Sequence, residues 1–271
     1  MKVNYSYVYL AFFLLLNIFN FVDRNLLIAF APQIKSEFNL TNVQWGLLTG
    51  VYFLFFYSVF GIFMGVLGDK FSRMKIAAAG VFLWSLMTAF TGVAKNFSHL
   101  IVARALIGVG ESALTPNAIS MLSDLFKQNQ RGTASAIYYL GIPLGVGFGM
   151  LIAAFFGPAY GWRSVFITLG LIGMGLGILT YFLLEPRRGQ LDISFDEDNK
   201  STSIRDIISM TKHALYNSKC LTFVIIGSIF LHIPLGAGNF EVLWAVNERG
   251  FTASSYNSLF GIFFILGGTV G

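Results

Sequence analysis

Residues Leu100–Leu122 read LIVARALIGVGESALTPNAISML, a run long enough to cross a bilayer yet interrupted by Arg104 and Glu111. Seven residues make nearly two helical turns, so the two charges share a face about 10 Å apart along the axis. Two long side chains of opposite sign can nearly meet across that gap. A charge at the bilayer centre costs about 3 kcal/mol on insertion scales, so such residues face a partner or a wet cavity. Gly108 and Gly110 permit close approach of another helix at the same level. The plainer alternative is a buried ion pair that only fixes packing.

The rest of the chain agrees with a membrane setting. Hydrophobic residues make up 55% of the 271 and charged residues 11%, with mean hydropathy +0.69. The net charge of +5 comes from basic residues flanking apolar runs, without a basic stripe interleaved with aromatics, so a nucleic-acid partner is not expected. Cys220, the single cysteine, excludes an intrachain disulfide, and His99, His213 and His232 lack ligand spacing. No metal, cofactor or catalytic set is expected. The first segment lacks the small-residue cleavage site of a signal peptide.

Eight apolar segments follow one another: Val8–Phe30, Val43–Leu67, Ile76–Ala94, Leu100–Leu122, Thr133–Phe156, Val165–Leu184, Leu221–Val246 and Tyr256–Gly271. The eighth stops without polar flanks, which suggests a cut-short helix. Twelve Lys and Arg residues, from Lys2 to Lys219, fall on one side, against Lys35, Lys95, Arg163 and Arg249 on the other, which predicts a cytoplasmic N-terminus.

Within this frame several residues stand out. Asn17, Asn20, Asp23 and Arg24 share an arc of roughly 120° on the first segment, an inward polar face with Asn17 and Asn20 lining a cavity. Asp23 and Arg24 need not pair with each other, and the alternative places them at the water interface ahead of Pro32 and Lys35. Thr41-x-x-Gln44 has the form of a capping box. The aromatic residues of the second segment read as packing. That segment ends in Gly61, Gly65 and Gly68, then Asp69-Lys70-Phe71-Ser72-Arg73-Met74-Lys75, either a basic anchor or a more specific device.

In the fifth segment Gly141, Gly145 and Gly149 form a close-packing ladder, and Pro143 removes a backbone donor and favours a kink. The bland reading is static packing, the sharper one a hinge at Gly141, Pro143 and Gly145. Glu185-Pro186-Arg187-Arg188-Gly189 ends the sixth segment. An acidic patch follows, then Ile204, Ile207, Ile208, Met210 and Leu215, which suggest a short amphipathic helix in a cytoplasmic linker. Pro234, Gly236 and Gly238 mark a break in the seventh segment. The expected organisation is a six-helix bundle over 1–185, a linker over 186–219 and the start of a second bundle over 220–271.

These residues resemble the major facilitator superfamily, and within it the Spinster-like branch. Gly65-Val-Leu-Gly68-Asp69-Lys70-Phe-Ser72-Arg73-Met-Lys75 is similar to the family's loop between helices two and three, with Ser72 where glycine is usual. Arg104-Ala-Leu-Ile-Gly108-Val-Gly110 resembles its helix-four arginine motif, and Glu111 points to the branch. Asp23-Arg24, Gly141-Ile142-Pro143-Leu144-Gly145 and the Glu185–Gly189 run agree.

The resemblance implies an all-α membrane fold of two six-helix halves with substrate held between them. It also implies a secondary transporter working by alternating access, and not an enzyme. This chain would supply one half, the linker and about two further helices, and would need the remaining C-terminal helices. Asp23, Arg24, Arg104 and Glu111 become candidates for proton coupling or substrate binding, since a carboxylate whose Arg contact exists in only one conformation changes its proton affinity through a cycle. Gly65, Gly68, Asp69, Arg73 and Lys75 become a conformational latch. The implied partners are protons, membrane lipids and a small solute, such as a lysolipid-like anion; the implied location is the bacterial inner membrane. A non-transporting binding subunit and an integral-membrane enzyme using Ser112, Thr115 or Ser120 are the alternatives.

Overall fold

The computed structural model describes residues 5–189 and, beyond them, 191, 209, 212–213, 216–232 and 234–270. The acidic patch lies outside the described residues, as do Ile204, Ile207, Ile208, Met210 and Leu215 of the expected linker helix. All regular structure among the described residues is helical, and six helices are long and apolar enough to span a membrane. Large apolar side chains such as Phe55, Ile62, Phe63, Leu171 and Phe223 are exposed on the outer faces. Water would penalise so much contiguous apolar surface, whereas lipid matches it. The chain is a multi-pass integral membrane protein.

Helix α1 (Tyr5–Ala29) is followed by the short α2 (Ala31–Glu37). Thr41 caps α3 (Asn42–Gly46): its hydroxyl accepts from the Gln44 N–H at 3.2 Å while Gln44 Oε1 accepts from the Thr41 N–H at 2.9 Å, which is the expected capping box. One π-helical segment, Leu47–Val51, joins α3 to α4 (Tyr52–Lys70), and α5 (Arg73–Gly92) starts after a two-residue turn.

The deciding stretch is not one helix. It forms α6 (Phe97–Glu111) and α7 (Leu114–Leu125), with the helix interrupted at Ser112 and Ala113. Pro116 is the cause: it has no N–H to give the Ser112 carbonyl, and its ring crowds that carbonyl. Glu111 therefore sits at a helix end. Pro143 acts in the same way four residues beyond Tyr139, where α8 (Arg131–Tyr139) gives way to α9 (Gly141–Phe182). The rest of the fifth apolar segment and the sixth lie within α9, which is two helices, 141–160 and 162–182, meeting at a kink at Gly161, whose φ of 74° and ψ of 157° suit only glycine. The seventh segment is broken where its Pro and Gly residues suggested: α10 (Lys219–His232), a 3₁₀ segment Pro234–Phe240, then α11 (Glu241–Arg249). Helix α12 (Ala253–Val270) ends the described chain.

Helix α1 packs against α8 and α9, α5 against α6 and α9, α4 against α6, and α12 against α9. The apolar core has two parts. One gathers around Phe30, Trp45, Trp162 and Phe166, the other around Phe13, Leu16, Trp84 and Tyr138. The polar stretch Asn17–Arg24 of α1 runs between them.

At the end carrying Phe30 and Trp45, α11 and α12 close over the bundle. Trp45 Nε1 donates to the Asn239 carbonyl at 2.9 Å, Asn257 Nδ2 to the Ala29 carbonyl at 3.0 Å, and Ser254 Oγ to the Ala154 carbonyl at 2.8 Å.

Candidate functional site

Two helices bring four charges together in the middle of the bundle. Asp23, Arg104 and Glu111 are 3%, 5% and 1% exposed, and Arg24 is half-buried. The water-interface alternative for Asp23 and Arg24 is thereby set aside. Helix periodicity already put Arg104 and Glu111 on one face, but they are not each other's partners. Arg24 Nε on α1 donates to Glu111 Oε2 on α6 at 2.5 Å. Arg104 instead lies over the Phe53 ring, 4.5 Å from its centroid. The reason is the direction of the Glu111 side chain at the end of α6, next to α1, where Arg24 is already in reach.

Arg24 is held from three sides. Its guanidinium carbon lies 4.9, 4.9 and 4.6 Å from the ring centroids of Phe21, Phe53 and Tyr57. Aromatic faces favour a desolvated cation. The aromatic residues of the second segment are therefore more than packing: Phe53 and Tyr57, four residues apart on α4, present their faces to the two arginines. Periodicity alone placed them on one helix face but said nothing of which helix they would meet.

Asp23 Oδ2 accepts from Thr88 Oγ1 on α5 at 3.1 Å. The four formal charges sum to zero, so the cluster brings no net charge into the bundle. Asn20 is 3% exposed and approaches the Glu111 carboxylate. Asn17, expected to line a cavity, is 1% exposed and donates to the Tyr138 carbonyl at 2.8 Å. The joint between α8 and α9 leaves that carbonyl within its reach, so Asn17 pins α1 to the joint. Gly141 and Gly145 lie in the same contact: a Cβ on Gly145 would fall 2.5 Å from the Ile18 carbonyl oxygen of α1. Ser112, Thr115 and Ser120 are each engaged elsewhere, with the Val109 carbonyl, Tyr138 and Arg73 respectively.

At the opposite end from Trp45 lies the Gly65–Lys75 loop. Arg73 is 4% exposed and makes four contacts: Asp124 Oδ2 at 2.5 Å, Glu185 Oε1 at 3.0 Å, Ser120 Oγ at 2.9 Å and the Pro186 carbonyl at 3.1 Å. Arg188 donates to the carbonyls of Gly68 and Asp69, each at 2.6 Å, and of Phe71 at 2.9 Å. The Gly189 N–H completes the clamp on Asp124 Oδ1 at 2.9 Å. Asp124 and Arg188 were not singled out from the sequence, although the Glu185–Gly189 run contains the latter.

Burial of Glu185 works to raise its pKa, but hydrogen bonds from Ser72 and Arg73 outweigh it and hold the carboxyl below its ordinary range. Lys75 sits over the Tyr181 ring at 5.7 Å. Asp69 is exposed and lines a cleft of about 410 Å³ with Gly61, Gly65, Gly68, Asn117 and Ser120, between α4 and α7.

A family model described as Major Facilitator Superfamily matches residues 13–271. Protein spinster of Drosophila melanogaster is 30% identical over 214 residues, which cover 77% of this chain and 35% of that protein. The sphingosine-1-phosphate transporter SPNS2 of Danio rerio is 32% identical over 180 residues, 65% of this chain and 36% of its own length. The chain thus spans about a third of the length of these relatives. A crystal structure of a bacterial homolog to the human lysosomal transporter Spinster, inward-facing and unoccupied, matches with a TM-score of 0.83 at 24% identity. That match covers 96% of this chain and 59% of the other, and at this identity it speaks for the fold.

Proposed function

Since the chain belongs to the major facilitator superfamily, with relatives in its Spinster-like branch, we propose that it forms the N-terminal part of a secondary transporter that works by alternating access and is coupled to protons. The family is one of transporters and is not known for enzymes. The observation that carries the proposal is the Arg24–Glu111 ion pair, joining α1 to α6 beside the buried Asp23 and Arg104. A pair made between two helices opens when those helices separate, and its carboxylate then changes proton affinity. Asp23 and Glu111 are the proton-carrying groups in this reading.

Arg24 is the member of the four with its side chain 21% exposed, so it is the one an anionic headgroup can reach. The substrate class that fits is a small amphipathic anion of the lysolipid or sphingoid-phosphate kind; the Danio rerio relative is named for sphingosine-1-phosphate. The Gly65–Lys75 loop with Arg73 serves as the latch at the cytoplasmic end, and Gly141, Pro143 and Gly145 as the hinge. The N-terminus faces the cytoplasm, residues 1–185 form the first bundle, 186–219 the linker and 220–271 the start of the second bundle. The host membrane is the bacterial inner membrane.

The test is uptake of sphingosine-1-phosphate and of a lysophospholipid by proteoliposomes containing the complete gene product, with and without a pH gradient. Glu111→Gln is expected to abolish the dependence on the gradient while leaving a folded protein. Unchanged proton dependence removes Glu111 from the mechanism, and absence of uptake for both probes removes the substrate class.

A further inference from the structure

Besides the Arg24–Glu111 pair, α1 and α6 face each other a second time. Asp23 Oδ1 and Arg104 Nε are both buried, and neither has a hydrogen-bond partner among the described residues. They are of opposite polarity, one acceptor and one donor. They line one cavity, together with Thr91 and the apolar side chains of Leu27, Leu48, Ile107 and Phe166. Its volume is about 10 Å³, the room one water needs. No direct ion pair joins Asp23 and Arg104 across it.

We propose that this cavity is a binding site for a single water that accepts from Arg104 Nε and donates to Asp23 Oδ1. An unpartnered buried donor and acceptor each cost free energy, and one molecule placed between them relieves both. Chemistry selects that molecule. A sodium ion suits Asp23 but is repelled by the guanidinium, and a chloride has the converse difficulty. Only a neutral group that donates and accepts satisfies both walls. Thr91 supplies a third contact: its own proton goes to the Met87 carbonyl at 2.9 Å, which leaves its oxygen to accept the second proton of the water. Three bonds are the usual complement of an internal water. The apolar remainder of the wall offers it no competing partner.

The bridge turns two separated charges into a linked pair, so α1 and α6 are joined twice, once directly and once through solvent. In the transport reading, on which this consequence rests, Asp23 gains a proton-exchange partner without any break in Arg24–Glu111.

A structure of the complete gene product, at a resolution that orders internal waters, is expected to show one peak within hydrogen-bonding distance of both groups. An empty cavity, a direct Asp23–Arg104 contact, or a peak replaced by rubidium or bromide on soaking overturns the proposal. Thr91→Val supplies an independent check, since it keeps the shape and removes one acceptor. Its apparent Tm should fall by about 2–4 °C, the scale of one lost hydrogen bond, and by less in an Asp23→Asn/Arg104→Gln background, where only the Thr91–Met87 bond is lost. An equal fall in both backgrounds overturns the bridge. Loss of proton-driven uptake bears on the transport reading alone, whereas the peak and the non-additivity bear on the water alone.

Discussion

Removing Arg24 from its pair with Glu111 should be the most damaging single change in the buried charge cluster. The two groups meet at 2.5 Å, and the Glu111 side chain is 0% exposed against 21% for Arg24. With charge centres about 4 Å apart and an effective dielectric of about 20, their attraction is ~4 kcal/mol. Truncating one member of a buried pair costs about 3–5 kcal/mol, because the other is left charged and unpaired. For a chain of this size that is an apparent Tm lower by roughly 6–20 °C for Arg24→Gln.

Glu111→Gln should cost less. Arg24 keeps three aromatic faces and some contact with the surroundings, whereas the fully buried Glu111 without Arg24 keeps only Asn20 and the more distant Arg104. The double variant Arg24→Gln/Glu111→Gln should be more stable than Arg24→Gln alone, since no isolated charge remains. The assay is thermal unfolding in lipid nanodiscs, followed by the fluorescence of the buried Trp45, Trp84 and Trp162. Single-variant losses that add to the double within about 0.5 kcal/mol would refute the pairing.

The clamp on the Gly65–Lys75 loop should weaken in acid. The Glu185 carboxyl is held below its ordinary pKa, so its contribution is complete above the unfolded value of about 4.3 and is lost as pH falls through the lower, folded one. The apparent Tm of the parent should decline over that window, and Glu185→Gln should flatten the decline; identical profiles would count against the clamp. Gly145→Ala should lower stability by about 1–3 kcal/mol, as overpacking against the Ile18 carbonyl requires. Gly175→Ala is the control: a Cβ there meets nothing within 4 Å, so its Tm should stay level or rise.

The spans were legible because bilayer thickness imposes a length and an apolar composition that no other constraint imitates. Arg104 and Glu111 could be recognised as buried for the same reason, since they stand in the middle of such a run. What one helix's periodicity could not convey was partnership. Glu111 is met by Arg24 because the long Arg24 side chain of α1 reaches the end of α6, a contact between segments 87 residues apart. Asn17 was misjudged on similar grounds, for the carbonyl it serves becomes available only where α8 ends. The interruption after Glu111 was open to inference from Pro116, whose effect falls four residues upstream of the proline itself. The role of Asp124 had no local signal, because an acid near the end of a span looks like any water-facing residue until Arg73 folds onto it.

The three bonds that close the Trp45 end share a trait with an evolutionary consequence. In each, a side chain of Trp45, Asn257 or Ser254 reaches a main-chain oxygen, at Asn239, Ala29 or Ala154. Every non-terminal residue carries that oxygen, so mutation at the receiving positions leaves the fastening intact while the helix path is kept. Drift at 239 thus leaves the bond in place, whereas the buried Ala29 and Ala154 are held small by packing alone, and the burden of keeping this end shut falls on three donors.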